Sequence, residues 1–151
     1  MPELFVFLTN ILLLIILSAF FSSSETALTA VSEARIHELA LQGNKRAVTI
    51  EKILAKKEKM ISTILIGNNL VNIVASVYAT SFAISFFGEF DLIFVTILLT
   101  IVLVIFAEVI PKTYAFSHAD QLSLAVAPII RLIIFLLTPA TFITERLAKI
   151  V

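Results

Sequence analysis

Residues 92–114 read LIFVTILLTIVLVIFAEVIPKTY, an apolar run that meets its first acid at Glu108 and its first base at Lys112. A helix needs roughly 20 mostly apolar residues to cross the hydrocarbon core of a bilayer, and this run supplies them. Outward from it, residues 61–87 form a second apolar stretch, separated only by Gly88-Glu89-Phe90-Asp91. So short a polar link between two long helices predicts an antiparallel helical hairpin. Residues 4–28 form a third stretch with residues 12–17 at its heart. Pro2 and Glu3 stand where a secretory signal would carry bases, so this stretch reads as a retained span. The expected fold class is all-α integral membrane, with spans at about 4–28, 61–87 and 92–114.

Composition agrees. Sixty per cent of the 151 residues are apolar and 15% are charged, with a mean hydropathy of +1.07. Soluble domains sit nearer half apolar and about a quarter charged. No cysteine is present, which excludes a disulfide framework, a thiolate zinc site and a Cys nucleophile. Lys and Arg together number 11, as do Asp and Glu, so no overall basic field attracts nucleic acid.

The apolar stretch 122–143 is long enough to span, but Arg131 sits near its middle, between Pro128 and Pro139. A central Arg costs about 2.5–3.5 kcal/mol on insertion scales. In a helix lying along the interface, Arg131 would instead snorkel to the headgroups. A juxtamembrane helix over about 120–146 is therefore expected. A fourth span stays open, because the segment has no clean polar face.

Residues 32–59 are polar. Ser32 reads as the N-cap of a short helix ending near Gly43, and Asn44 as the cap of a second that carries Ile50, Ile53 and Leu54 on one side. The bases Arg35, Lys45, Arg46, Lys52, Lys56, Lys57 and Lys59 fall here, whereas the 88–91 turn carries only Glu89 and Asp91. The positive-inside rule puts the 32–59 pair in the cytoplasm and the N-terminus outside. With three spans, Lys112, Arg146 and Lys149 are also cytoplasmic. The plain reading of the basic cluster is topology plus contact with anionic membrane lipid.

Polar residues inside the spans carry the functional signal. They are Ser22-Ser23-Ser24-Glu25-Thr26, then Gly67-Asn68-Asn69 with Asn72, then Ala107-Glu108-Val109-Ile110-Pro111-Lys112. The topology places all three groups in the inner half of the membrane, with Asn68 about 10 Å deep at 1.5 Å per residue. Asn68 and Asn72 share a helix face, which Ser76, Ala79 and Ala83 extend with small side chains. Pro111 has no N–H for the Ala107 carbonyl, which frees an oxygen beside the Glu108 carboxylate. Carboxylate, carbonyl, hydroxyl and amide oxygens are hard ligands suited to Mg²⁺, Ca²⁺ or Na⁺. Each group also has a plainer reading. Ser22-x-x-Glu25 is a capping box that would restart a broken helix, the Asn pair is interhelical glue, and Glu108 pairs with Lys112 at i+4. Their common depth favours a site.

Catalysis has little to stand on, and the expectation is that the chain is not an enzyme. There is no His-Glu-x-x-His motif, and His37 and His118 read as isolated, solvated loop residues. Asp91 and Asp120 are near span ends, and the three glycines are scattered. A dyad of Ser22 or Ser24 with Lys112 would lack an evident oxyanion hole.

Phe20-Phe21-Ser22-Ser23-Ser24-Glu25-Thr26-Ala27-Leu28, Leu65-Ile66-Gly67-Asn68-Asn69-Leu70-Val71-Asn72-Ile73 and Ala107-Glu108-Val109-Ile110-Pro111-Lys112 resemble, in order and spacing, the membrane domain of the CNNM/CorC family. The resemblance covers essentially the whole chain. It implies a homodimeric magnesium transporter that exports Mg²⁺ in exchange for Na⁺, with three spans, a short cytoplasmic helix pair and a belt-like juxtamembrane helix. Carried over by motif, Ser22, Ser24, Asn68, Asn72 and Glu108 would hold the ion, joined by the Ala107 carbonyl. Glu25, Gly67, Pro111 and Lys112 would support them. Ser23 and Ala107 stand where family motifs often have Gly. Family proteins usually continue into a cytoplasmic CBS-pair module, expected beyond Val151 in the full-length protein. A proton-coupled small-cation carrier using Glu108, and a membrane anchor or signalling module without transport, are the alternatives.

Overall fold

The computed structural model describes residues 2–87 and 92–148. The expected hairpin turn at 88–91 and Lys149 lie outside the described residues. Every described element is helical: α1 Pro2–Ala30, α2 Glu33–Leu41, α3 Lys45–Leu54, α4 Lys57–Phe87, α5 Leu92–Leu103, a π-helical segment Val104–Val109, α6 Ile110–Ser117 and α7 Ala119–Ala148.

The caps fall where the sequence puts them. Ser32 Oγ accepts from the Arg35 N–H at 3.5 Å, and Asn44 Oδ1 accepts from the Arg46 and Ala47 N–H groups at 3.0 and 3.2 Å. Gly43 closes α2 at φ +87°, a left-handed conformation that costs glycine nothing. Ile50 and Ile53 are buried, fixing the inward face of α3. Each first-turn N–H that a cap satisfies is one that short helices at a surface would otherwise leave to water.

Two corrections concern the ends of this region. α4 starts at Lys57, one turn before the expected 61, and carries Lys57 and Lys59 on its first turn. His37 lies within α2 rather than in a loop, and its Nδ1 stands 2.6 Å from Glu51 Oε1 on α3. His118 follows α6, exposed, with its ring stacked on Tyr114 at 4.4 Å.

α5 and the outer half of α1 are apolar almost all round, as lipid-facing helices are. α5 buries none of its residues, and Leu12, Leu13, Ile16, Leu70, Ile73, Ile97 and Leu98 all face outward. An apolar surface this continuous belongs in hydrocarbon, not water. By length and composition four stretches suffice to cross a bilayer: Pro2–Ala30, Lys57–Phe86, Leu92–Ser117 and Ala119–Ile143. Length alone therefore does not distinguish α7 from the other three.

Packing forms two apolar layers along α1 and α4. One joins Ile11 to Ala75 and Ala79, with Phe7, Leu14, Leu99 and Leu103 against them. The other joins Phe21 and Leu28 to Met60 and Ile64, to α3 through Ile50 and Ile53, and to α7 through Val126, Ala127 and Ile130. Ser76 does not lie on the packed face as expected. It is exposed, and Ala75, Ala79 and Ala83 are the buried small residues. The seven-residue step from Asn68 to Ala75 keeps the helix azimuth better than the eight-residue step to Ser76.

The near end of α7 is tied to the polar pair. Asp120 accepts from the Ser32 N–H at 3.0 Å and lies 3.5 Å from the Arg35 guanidinium. Further along α7, Arg131 borders a pocket with Lys52, Lys56 and Lys59, at the α3–α4 junction. At 1.5 Å per residue these two points are about 16 Å apart along the helix, yet both contact the polar 32–59 region.

A candidate intramembrane cation site

Hydroxyls within a membrane helix ordinarily satisfy themselves on the carbonyl one turn back. Thr9, Ser81, Thr96, Thr100 and Thr113 do this, at 2.9, 2.9, 2.7, 2.8 and 2.8 Å. Ser18 does not. Its Oγ donates across to α4, standing 2.7 Å from Asn72 Oδ1 and 3.1 Å from Asn68 Oδ1. Two amide oxygens thus share one hydroxyl proton, which leaves lone pairs free on both.

The orientation of Asn72 has a cause. Its Nδ2 donates to Glu108 Oε1 at 3.5 Å, so Oδ1 must point the other way, toward Ser18. One residue therefore links α1, α4 and the π segment. Glu108 is half-buried and among the described residues forms no ion pair, so the i+4 pair with Lys112 is not made. A carboxylate among apolar helices with one long, weak donor is an expensive arrangement unless a cation meets it.

The backbone beside Glu108 departs from the α pattern. In the π segment the Ile110 N–H donates to Ile105 rather than to Phe106. Pro111 then has no N–H to offer Ala107. Two consecutive carbonyls, of Phe106 and Ala107, thus lose their ordinary α-helical donors. The position of Pro111 in the sequence predicts a loosened carbonyl only at Ala107. Single π turns inside α-helices are frequent at functional sites.

Ser22 and Ser24 are fully buried, and neither hydroxyl has a hydrogen-bond partner. Ser22 follows Ser18 by one turn on the same face. Ser24 is turned about 200° from Ser22, so the two cannot point at one atom from an ideal helix. No hydrogen bond joins either to Asn68, Asn72 or Glu108. The capping-box reading of Ser22 and Glu25 fails, because α1 runs unbroken through both. Glu25 and Lys112 are half-buried and Ala107 is buried.

Gly67 is a packing residue. A Cβ there would stand 2.5 Å from Phe21 Cε1, so the absent side chain lets α1 and α4 close up beside the Asn68 amide. The four residues linked by contact are Ser18, Asn68, Asn72 and Glu108, and Ser18 was missed by the sequence reading. The signal available was its spacing: it is the only polar residue in 11–21, one turn before Ser22. Buried unpartnered hydroxyls at Thr63 and Ser123 were missed as well.

Among the described residues no three His, Cys, Asp or Glu side chains gather. Any cation at this junction would rely on one carboxylate and neutral oxygens, which suits a hard ion and not a soft one.

The profile of the cyclin M transmembrane N-terminal domain, CNNM, matches residues 9–151. The chain is 38% identical over 139 residues to a UPF0053 protein of Haemophilus influenzae, covering 92% of this chain and 33% of that protein. It is 36% identical over 107 residues to the UPF0053 inner membrane protein YfjD of Escherichia coli, covering 71% of this chain and 25% of that protein. With the UPF0053 protein YhdT of Bacillus subtilis the identity is 30% over 151 residues, covering 91% and 33%. The chain thus spans about a quarter to a third of the length of these relatives. With its multiple apolar helices and this match over nearly its full length, the chain is a multi-pass membrane protein that belongs to the CNNM/CorC family.

Proposed function

We propose that this membrane domain transports Mg²⁺, exporting it in exchange for Na⁺, through an oxygen-ligand site in the inner half of the bilayer. Membership of a family of membrane ion-transport domains supports metal-ion transport in general. The observation that carries the finer reading is the junction at Asn72. There a carboxylate without an ion-pair partner and two amide oxygens are linked through one side chain, and the carboxylate stands on a π segment whose carbonyls at 106 and 107 lack their ordinary helical donors. Glu108 supplies the charge, and Asn68, Asn72 and the main chain replace part of the hydration shell. Ser22 and Ser24 are buried hydroxyls in reserve on α1. Neither hydroxyl has a hydrogen-bond partner, which leaves both free to serve as ion ligands.

Three spans and an in-plane α7 fit this reading. Asp120 and Arg131 both meet the basic, cytoplasmic helix pair, and a perpendicular helix would have carried Arg131 about 16 Å away from that level. The Ile11, Ala75 and Ala79 layer lies on the outer side of the site, and the Phe21, Leu28, Met60 and Ile64 layer on its inner side. Release to the outside would need α1 and α4 to part along the outer layer. Asn69 and Ser76, exposed on α4 at membrane depth, support a homodimer that covers them.

Mg²⁺ titration of the purified chain by calorimetry tests the site, with Ca²⁺ and Na⁺ as competitors and Glu108→Ala as the variant. Saturable binding that vanishes in a folded Glu108→Ala protein is the expected result. Unchanged binding in that variant, or none in the wild type, would overturn the assignment in favour of an anchor whose polar residues only hold helices together.

A further inference from the structure

Lys52, Lys56, Lys59 and Arg131 line one open pocket of about 160 Å³, walled by Ile53, Met60 and Ile134. They come from four separate places: α3, the turn before α4, the first turn of α4, and the middle of α7 make one concave surface. Among the described residues, none of the four bases has a carboxylate within ion-pair distance. The acids nearest in sequence are used elsewhere or turned away. Glu51 meets His37 at 2.6 Å, and Glu58 does not line the pocket. The N-terminal end of the long helix α4 borders the same space and adds the positive end of its dipole. Four cations and a helix N-terminus facing one cavity repel one another unless an anion sits between them.

The surroundings say what kind of anion. On α7, Ile129, Leu132, Phe135 and Leu136 flank Arg131 and are exposed, Phe135 at 76%. The pocket therefore opens beside an apolar, lipid-facing surface, and its occupant has a charged head and an apolar body. Basic pockets between membrane helices on the cytoplasmic side bind phosphate headgroups in this way. We propose that this pocket is a binding site for an anionic lipid whose headgroup carries two phosphates, clamping α7 to the α3–α4 junction. The proposal needs the helices to sit in a membrane but does not depend on the Mg²⁺ site. It also accounts for Arg131, which neither the apolar face of α7 nor the cation site explains.

The test is thermal unfolding of the purified chain in detergent, titrated separately with cardiolipin, phosphatidylglycerol, phosphatidylcholine and inorganic pyrophosphate. Cardiolipin is expected to raise the unfolding temperature saturably, above phosphatidylglycerol, with phosphatidylcholine inert. Arg131→Gln and Lys56→Gln should each weaken the apparent cardiolipin affinity about fivefold, while Lys45→Gln, a base outside the pocket, leaves it unchanged. Helix content and elution are checked in every variant, and Lys59→Gln carries the test where Arg131→Gln does not fold. Equal weakening by Lys45→Gln would reduce the effect to diffuse surface charge and overturn the proposal. Stabilisation by pyrophosphate as strong as by cardiolipin would assign the pocket to a soluble anion, and no cardiolipin effect would remove it.

Discussion

Asn72 Nδ2 donates to Glu108 Oε1 across 3.5 Å, and this contact joins α4 to the π segment. The contact is long, so it steers the amide more than it holds the helices. What it fixes is the direction of Asn72 Oδ1, which faces Ser18 and Asn68 and not lipid.

Ser18 acts on the site through its two asparagines. Replacing it with alanine leaves both amide oxygens without their shared donor and free to turn. In metal sites, loss of such an orienting partner costs about 10–100-fold in affinity. Calorimetry on Ser18→Ala should show a Mg²⁺ loss of that size, while Ser18→Thr retains most of the binding. Equal affinity in Ser18→Ala would mean the asparagines are held by packing alone.

The Gly67 contact sets two effects against each other. Alanine is favoured over glycine in a helix by about 1 kcal/mol. Here its Cβ would press on the ring of Phe21, which is buried, and overpacking costs about 1–3 kcal/mol. Gly67→Ala should therefore lower thermal stability, and adding Phe21→Leu should restore part of it. A stabilised single variant would show that the ring has room to move.

Restoring the missing N–H separates stability from function at the π segment. Pro111→Ala offers Ala107 an ordinary α-helical donor and removes the reason for the register change. Stability should hold or rise, by about 1 kcal/mol, as strained functional sites do when relaxed. Mg²⁺ affinity should fall. A drop in stability with binding intact would place the origin of the π turn elsewhere.

The chain contains no cysteine, so single cysteines report topology without background. Cysteines at Gln121 and Ile143, near the two ends of α7, should both be modified by a membrane-impermeant reagent from the cytoplasmic side. A cysteine at Glu3 should react from the other side. Modification of position 143 from outside only would make α7 a fourth span.

The spans, the caps at Ser32 and Asn44, the break at Gly43 and the polar motifs were legible in the sequence. Each is a local matter: apolar length against bilayer thickness, a hydroxyl or amide beside a free N–H, a residue that tolerates positive φ. Depth alone even brought Asn72 and Glu108 to one level. What the sequence could not determine depends on azimuth and on distant chain. Ser18 looks like one more small residue in an apolar run until α4 is laid against it. Ser76 and Ala75 differ by only 100° of rotation, and packing chose Ala75. Arg131 reads as an obstacle inside α7, and only the path of that helix along the basic pair brings it to Lys52, Lys56 and Lys59. Local chemistry decided which residues form helices and where they end. Tertiary contact decided which polar atoms meet, because a hydrogen bond or an ion site is settled over a few ångströms that no one-dimensional spacing can specify.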